Sequence, residues 1–513
     1  MKNERILGMA LMAIFAFMLI YGFVQSEAVD AFKIYWMAAA CAAIPGALLL
    51  ANQGAAARYF SRIVVGSIFI VSGLIKANDT VGFGIKLEEY FDENALGAFW
   101  ALFHDWAWAI SFFVSGLEVL LGLALLFGIR VQWVSYALLG MTLFFGWLTY
   151  FTAQCNDAQM AAIRAGEDFN RVCVTDCGCF GDALRGSVGR SLTPWESFYK
   201  DIGLLFMVLV LVAGGSRIRL NVKRDDLIIF PFSLLITLLF GGWLFGWMLP
   251  TYFLLISIGI YYLFKVLRIR GIILQWAVAV FFVMLTYGFA SYTYLNLPVK
   301  DYRPYAVGIN IKDQMKDAAE LGLEPTIEAT IYKLENKRTG EVKTVNSREY
   351  LEQEIWKDED WNNIVYSSPE PIVLKRGYEP PIASFTVFDE DGIDIGDELL
   401  NDANYSFMVV MYDVEKANTR RHLRALKNLI DGATAAGHRI YVLTGSSYDE
   451  YEPFRHEHGL AIPFYEADAI MLKTIVRSNP GLLLLRDGKI LEKWHGNNIP
   501  LFKTVEMKHF NPS

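Results

Sequence analysis

Four cysteines are the residues of this chain whose type and spacing point most directly to chemistry. Cys155, Cys173, Cys177 and Cys179 follow one another at intervals of 18, 4 and 2 residues, and Cys41 is the only other cysteine. Thiols concentrated in a short polar loop, in a chain that otherwise almost lacks them, favour thiol chemistry or metal binding over core packing. We therefore predict that these four residues form the catalytic site.

Three interpretations of the loop remain open from the sequence. Zinc is the weakest, because the loop contains no histidine and its cysteine spacing matches no common zinc motif. Two structural disulfides that clamp the loop are a stronger alternative. Redox exchange is the interpretation that we favour, and it requires no metal.

The spacing within the loop suggests how redox exchange would work. Cys177 and Cys179 flank a single glycine, so a disulfide between them would close a small ring with strained dihedral angles. Strained, exposed disulfides have high reduction potentials, which suits an oxidant that passes its disulfide to a substrate. Cys155 and Cys173 could form a second pair that carries electrons onward by exchange. Four cysteines allow three pairings, and the sequence does not choose among them.

The elements that must position this loop are membrane helices. The chain has 513 residues, 54% of them hydrophobic, and charges are sparse from Ile6 to about Tyr292. A bilayer core about 30 Å thick requires roughly 20 apolar residues of helix. Nine such runs are visible, beginning near Ile6, Phe32, Tyr59, Trp106, Val131, Phe198, Asp226, Thr251 and Ile272. The first resembles a signal peptide in part, but its length of about 19 apolar residues favours a retained helix.

Positive charges in the short loops predict the orientation of these helices. With the N-terminus inside, the cytoplasmic side receives Lys2, Arg5, Arg58, Arg62, Arg130, Arg217, Arg219, Lys223, Arg224, Lys265, Arg268 and Arg270. The cysteine loop and the C-terminal region then face outward, which in a bacterium means the periplasmic side of the inner membrane. The net charge of −8 comes mostly from that outward region, so nucleic acid is not an expected partner. The expected partners are the lipid bilayer and a periplasmic thiol protein or other envelope protein.

Two stretches of the membrane half resemble a known family. Gly66 to Phe69, Ser72-Gly73, Lys76 and the sequel Glu88-Glu-Tyr-Phe91 resemble the DoxX family of bacterial membrane proteins, and Leu117-Glu-Val-Leu-Leu-Gly122 fits the same family. The box Cys177-Gly-Cys-Phe-Gly-Asp182, followed by Thr193-Pro-Trp-Glu-Ser-Phe-Tyr-Lys-Asp201, is similar to its MauE-related branch. This resemblance covers about residues 59–212 and implies a link to disulfide formation in periplasmic proteins.

A thiol oxidant in a membrane needs an electron acceptor, and quinone is the expected cofactor. No haem-attachment, Rossmann or flavin fingerprint stands where it should. The residues that could bind quinone are the aromatic side chains Phe180, Trp195, Phe198 and Tyr199, with Lys76 and Glu118 as polar contacts. For the aromatic residues the alternative is an ordinary belt at the membrane boundary. For Glu118 the alternative is a structural ion pair with Lys76.

The composition of the C-terminal half is typical of a soluble protein, and this half has two parts. Ile327–Lys333 and Glu341–Val345, separated by a turn at Thr339-Gly340, predict a β hairpin. From Pro381 onward, strands and helices alternate, and residues 382–494 resemble the TlpA-like branch of the thioredoxin fold. By this resemblance Asn479-Pro480 occupies the place of the cis proline. No cysteine follows Cys179, so this domain lacks the CxxC motif.

The sequence thus predicts a polytopic α-helical membrane protein of about nine transmembrane helices with a periplasmic α/β thioredoxin-like domain. The predicted parts are two N-terminal helices (1–52), a DoxX-like four-helix domain (53–215) with a periplasmic cysteine loop (153–197), three further helices (226–292), a connecting subdomain (293–380) and the thioredoxin-like domain (381–513). The predicted function is a thiol-disulfide oxidoreductase that passes electrons to quinone. The alternative is a scaffold or assembly factor whose thioredoxin-like domain docks a partner.

Overall fold

The computed structural model describes residues 2–24, 32–169, 171–175, 178, 180–184, 191–369, 371–417 and 419–510. Cys177 and Cys179, the pair on which the sequence analysis places most weight, lie outside the described residues. The chain forms two compact units. The first comprises residues 1–159 and 170–292, and the second comprises residues 160–169 and 293–513.

The first unit is built from helices. In chain order they are α1 (Lys2–Val24), α2 (Phe32–Leu50), α3 (Gly54–Asn78), α4 (Thr80–Tyr90), α5 (Ala98–Ala101), α6 (Ala107–Phe127), α7 (Val131–Ala165), α8 (Pro194–Gly214), α9 (Lys223–Thr237), α10 (Leu249–Val266) and α11 (Gly271–Leu295). Within the described chain, seven helical segments are long and apolar enough to cross a membrane: Gly54–Asn78, His104–Phe127, Val131–Ala165, Pro194–Arg217, Lys223–Leu244, Leu249–Val266 and Gly271–Leu295. The chain is therefore a polytopic helical membrane protein, and α1 and α2 stand where the first two apolar runs were expected.

Helices α3 and α6 pack at very short range because glycines remove the side chains between them. A β-carbon on Gly73 would lie 2.8 Å from the backbone nitrogen of Val119, and one on Gly122 would lie 2.7 Å from the carbonyl oxygen of Gly66. Small residues allow such close approach of backbones in a membrane, where van der Waals packing holds helices together. Gly73 and Gly122 therefore permit the close packing of α3 and α6.

Helix α7 is longer than the sequence suggested. Its 35 residues correspond to about 52 Å at 1.5 Å per residue, well beyond the thickness of a bilayer core. The cysteine loop was expected to begin at residue 153, but the helix continues to Ala165 and includes Cys155. The segment after Cys155 reads Asn-Asp-Ala-Gln-Met-Ala-Ala-Ile-Arg-Ala, in which good helix formers such as alanine, methionine and glutamine outnumber the poor ones.

The larger part of the second unit is an α/β domain around a six-stranded sheet. The strands are β6 (Val387–Phe388), β7 (Tyr405–Met411), β8 (Arg439–Thr444), β9 (Phe464–Ala467), β10 (Gly481–Arg486) and β11 (Lys489–His495), in the order β11-β10-β7-β8-β9-β6. β7, β8 and β9 are parallel, and the other pairings are antiparallel. Alternate residues of β7 enter two apolar cores, one on each face of the sheet.

Smaller elements complete this unit. The helices are α12 (Ile311–Met315), α13 (Ser347–Glu352), α14 (Gly396–Leu400), α15 (Thr419–Ala435), α16 (Tyr448–Glu457), α17 (Ala469–Ile475) and α18 (Phe502–Val505). β1 (Ile327–Ala329) pairs with β5 (Ile372–Lys375), and β2 (Ile331–Glu335) lies between β3 (Val342–Asn346) and β4 (Ile364–Ser367). β2 and β3 form a hairpin as expected, but residues 327–329 of the predicted first strand pair with β5 instead. The Asn479–Pro480 peptide bond is cis, as the thioredoxin resemblance implied.

A buried charge cluster ties the chain after the last membrane helix to this domain. Asp301 accepts hydrogen bonds from Arg303 Nε at 2.8 Å and from Lys493 Nζ at 2.9 Å, and Lys493 Nζ also donates to the carbonyl of Ile475. Burial raises the pKa of the Asp301 carboxyl, but the charges and hydrogen bonds of Arg303 and Lys493 outweigh it and hold that pKa well below its usual range. Burial and the Arg303 charge lower the pKa of the Lys493 ammonium to about 8.

Candidate functional site

A disulfide between Cys155 and Cys173 is the centre of the candidate site, with Cα atoms 5.6 Å apart. It joins helix α7 to the loop that follows it. From Val131 to Phe151 the helix rises about 30 Å, which matches the hydrocarbon thickness of a bilayer. Cys155 comes one helical turn later, so a membrane that begins near Val131 ends close to this disulfide.

The two sulfurs differ in their environment. Cys155 is 6% exposed, whereas Cys173 is half-buried. The loop on the Cys173 side is held by Asn156, whose Nδ2 donates to the carbonyl of Val174 at 2.9 Å. Arg171 Nε donates to the carbonyl of Ala95 at 3.2 Å. A thiolate that attacks this disulfide from solution therefore reaches Cys173 more readily than Cys155.

Gly178, which separates Cys177 from Cys179 in the sequence, lies against helix α4. Its φ is +61°, in the left-handed region that glycine tolerates best, and a β-carbon there would lie 2.9 Å from Lys86 Cγ and 3.8 Å from the ring of Phe83. The glycine is thus required by both backbone conformation and space.

The predicted polar contacts Lys76 and Glu118 do come together. Lys76 Nζ donates to Glu118 Oε1 at 2.5 Å, and Ser72 Oγ donates to Glu118 Oε2 at 3.0 Å. Lys76 and Glu118 are only 6% and 3% exposed. The expected structural ion pair is present, and Ser72 belongs to it as well as to the close helix contact.

Aromatic rings connect the ion pair to the disulfide loop. The Lys76 ammonium lies 4.9 Å from the ring centroid of Phe145 and 5.5 Å from that of Phe83. Phe83 belongs to an apolar cluster that includes Val174, the neighbour of Cys173, and Phe145 packs against it. Phe145 precedes Cys155 by ten residues, or about 15 Å along α7. The ion pair thus lies deeper in the membrane unit than the disulfide.

The predicted quinone-binding aromatics are brought together only in part. Trp195 and Tyr199 are stacked with centroids 5.9 Å apart, and Phe198 lies 5.7 Å from Trp195. We call these three residues, with Tyr150, the Trp195 group. Phe180 instead packs 5.1 Å from Phe245, with the Lys200 ammonium over its ring. Lys200 also pairs with Asp201 at 2.7 Å.

A second aromatic group on α7 was missed by the sequence analysis. Trp100 is stacked on Trp147 with centroids 5.4 Å apart, and Trp147 lies 6.1 Å from Phe151. The Arg171 guanidinium lies 4.6 Å from the ring centroid of Phe151. The spacing of Trp147, Phe151 and Cys155, four residues each, puts them on one face of a helix and was the available signal. We call Trp100, Trp147, Phe151 and Arg171 the Trp147 group.

Among the residues that the structure describes, no group of three or more histidine, cysteine, aspartate or glutamate side chains could hold a metal ion. The chemistry available to the described site is thiol–disulfide exchange at Cys155–Cys173, with aromatic surfaces on two faces of α7 and a buried ion pair below it.

Comparison with known proteins identifies one part of the membrane unit. Residues 54–214 match the model of the family described as Methylamine utilisation protein MauE. No curated protein matches the chain, and no solved structure matches it. The matched range covers α3 to α8 and thus contains the disulfide, the ion pair and both aromatic groups. Residues 54–214 are therefore a MauE family domain, the DoxX/MauE type of membrane domain.

Proposed function

We propose that this protein is a membrane thiol-disulfide oxidoreductase that oxidises a periplasmic thiol protein or small thiol and passes the electrons to quinone. A MauE domain implies a membrane function associated with redox or electron transfer. The observation that carries the more specific proposal is the Cys155–Cys173 disulfide at the expected membrane boundary. It lies where a thiol from water and an acceptor from lipid can both approach.

The proposed reaction balances without a further reactant. A client dithiol loses two electrons and two protons and becomes a disulfide, with Cys177 and Cys179 as the first exchanging pair. Their thiols then reduce Cys155–Cys173 through a mixed disulfide on Cys173, and Cys155 leaves as a thiolate. The reduced Cys155 and Cys173 pass two electrons and two protons to quinone, which becomes quinol, and their disulfide forms again.

The second unit supports the proposal that the client and the cysteine loop are in the same compartment. Residues 160–169 and 293–513 form one compact unit, and a water-soluble unit lies on one side of a membrane. Cys155 precedes Met160 by five residues in the same helix. The strand order and the parallel β7-β8-β9 core support the thioredoxin-like interpretation. Because this unit contains no cysteine, its proposed role is to hold a client rather than to exchange disulfides.

The test uses cysteine variants in cells that depend on this protein for disulfide formation. Cys177→Ser/Cys179→Ser and Cys155→Ser/Cys173→Ser should each make reduced client accumulate, as measured by alkylation mass shift. Cys41→Ser, which removes the free cysteine of α2, is the matched control and should leave the client oxidised. An unchanged redox state of the client in both double variants would exclude the proposal.

A scaffold function is the second candidate, and the burial of Cys155 favours it. A disulfide with one shielded sulfur, in a loop tied down by Asn156 and Arg171, also suits a structural clamp. Structural disulfides resist reduction by glutathione, whereas working pairs cycle. Graded reductants followed by alkylation therefore separate the two functions. In the scaffold case the protein would act by docking a partner through its C-terminal unit.

A further inference from the structure

We propose that the Trp147 group is the binding site for the quinone ring, beside the Cys155–Cys173 disulfide. This inference rests on the proposed function and adds the place where the acceptor binds. The sequence-based location is Phe180 together with the Trp195 group, so the two locations make different predictions.

Trp147 and Phe151 of the Trp147 group lie on the same face of α7 as Cys155. Trp147, Phe151 and Cys155 follow one another at four-residue intervals, so their side chains lie on one face of α7. Tyr150, through which α7 contacts the Trp195 group, points about 100° away from Phe151. The Trp147 group thus shares the face of the buried sulfur, and a ring placed on it lies directly below the disulfide.

The ring of Trp147 is accessible from the lipid. Trp147 is 41% exposed although it lies within the apolar part of α7. Trp100 stacks on it at an interplanar angle of 27°, and Phe91 stacks on Trp100 at 4°. A further flat ring gains stacking energy on an exposed aromatic surface of this kind. A quinone dissolved in the bilayer can therefore reach this surface without crossing the protein.

Arg171 places a positive charge at the end of the aromatic surface. Arg171 lies over Phe151, two residues before Cys173, and its Nε is engaged by Ala95. Within the described part of the chain, its two terminal nitrogens have no hydrogen-bond acceptor. A guanidinium with free donors can hydrogen-bond a quinone oxygen and stabilise the negative charge that develops there on reduction.

The Trp195 group lacks this combination. The indole N–H of Trp195 donates to Asp157 at 3.0 Å, and Lys200, whose ammonium lies over the ring of Phe180, is paired with Asp201. Of these two aromatic groups, the Trp147 group is the one whose described residues offer a planar acceptor a ring surface, a route from the lipid and a charged donor. Electron transfer there needs no other reactant, because the two thiols supply both electrons and both protons.

The experiment measures quinone-dependent thiol oxidation by the purified full-length protein in lipid nanodiscs. The protein is reduced, freed of reductant and mixed under anaerobic conditions with a ubiquinone analogue that has a short alkyl tail. Arg171→Gln and Trp147→Leu should raise the KM for this quinone at least tenfold. Arg171→Lys should recover part of the affinity, since it keeps the charge but not the planar fork.

Trp133→Leu is the matched control, because Trp133 is 72% exposed on the same helix at the end distant from the disulfide. It should leave the KM unchanged. An unchanged KM in Arg171→Gln and Trp147→Leu, with quinone still reduced, would overturn this site alone. A raised KM in Trp195→Leu instead would assign the ring to the Trp195 group. If the native protein reduces no quinone at all, the proposed function fails together with the site.

Photolabelling gives a readout that does not depend on turnover. An azido-substituted quinone analogue should attach to peptides that contain residues 147–151 or 171, and unlabelled quinone should compete. Attachment confined to residues 195–199, or labelling with no preference for residues 147–151 or 171, would contradict the proposal.

Discussion

At the scale of single residues, the Lys76–Glu118 pair shows what hydropathy can and cannot indicate. A charge in an apolar run is costly unless it has a partner, so the sequence pointed to Glu118 and to Lys76 as its partner. The distance of 2.5 Å bears this out. The role of Ser72 as a second donor to Glu118 was not expected, because a serine beside a glycine in a membrane helix is more often a packing residue.

Removing one partner of the Lys76–Glu118 pair should destabilise the protein more than removing both. Lys76→Met leaves a buried carboxylate without its cation and should lower the free energy of unfolding by about 3–5 kcal/mol. The double variant Lys76→Met/Glu118→Leu should recover most of that loss. Thermal unfolding in detergent measures both. Losses that simply add in the double variant would show that the two side chains are not coupled.

The difference in exposure between the two sulfurs leads to a kinetic prediction. In Cys155→Ser the remaining Cys173 thiol is half-buried, and in Cys173→Ser the remaining Cys155 thiol is shielded. Cys173 should therefore react with a bulky maleimide at least tenfold faster than Cys155. Cys41→Ser, Cys177→Ser and Cys179→Ser in the same background remove the other cysteines, whose thiols would obscure the comparison. Equal reaction rates would contradict the assignment of Cys173 as the attacked sulfur.

At the scale of elements, the sequence located most helices but misjudged α7. Long apolar runs identify membrane helices because the backbone has no other way to satisfy its hydrogen bonds in lipid. Residues 156–165 carry polar and small side chains that resemble a loop in hydropathy, so the continuation of α7 was not expected. In the C-terminal unit, β9 and α17 were also missed, because each is too short to show a clear period.

The end of α7 should contribute to the stability of the second unit. Ile163 is buried against Ile331 of β2 and Ile372 of β5. Ile163→Ala should lower the unfolding free energy of this unit by about 2–4 kcal/mol, the usual cost of a large cavity. Pulse proteolysis of the 293–513 region in urea measures it.

Arg164, the exposed neighbour of Ile163 on the same helical turn, supplies the control. Arg164→Ala should change the unfolding free energy by less than about 0.5 kcal/mol. Equal effects of the two substitutions would mean that Ile163 does not contribute through burial. A smaller loss in Ile163→Val than in Ile163→Ala would support the packing explanation.

At the scale of the whole molecule, the sequence indicated the class of each half but not the interactions between distant residues. Hydropathy separates a membrane half from an acidic soluble half, and the MauE match supports the first. The pairing of Cys155 with Cys173 and the Trp147 group depend on loops that approach α7 from residues 91–100 and 171–173. Contacts between segments that are distant in the sequence leave no local sequence pattern. The buried Asp301–Lys493 pair is of the same kind, since its members are 192 residues apart.

That buried pair predicts how stability depends on pH. Because the pKa of Lys493 is lowered to about 8 in the folded protein, the unfolded chain binds more protons between pH 8 and about 10.5. Stability should therefore rise across this window by about 1–3 kcal/mol, and Lys493→Met should abolish the rise. Lys489→Met, an exposed lysine of the same strand, should retain it. Pulse proteolysis at several pH values measures the effect, and identical profiles for both variants would contradict it.

The most direct test of the account is the redox behaviour of Cys155–Cys173 in the purified full-length protein. The disulfide is equilibrated with buffers of defined potential, its thiols are counted by alkylation and mass spectrometry, and the reduced protein is then exposed to quinone without oxygen. The account predicts a midpoint above about −270 mV, in the range of proteins that exchange disulfides, and re-formation of the bond by quinone. A midpoint below about −300 mV, together with no reoxidation by quinone, would identify the disulfide as a structural clamp and contradict the account.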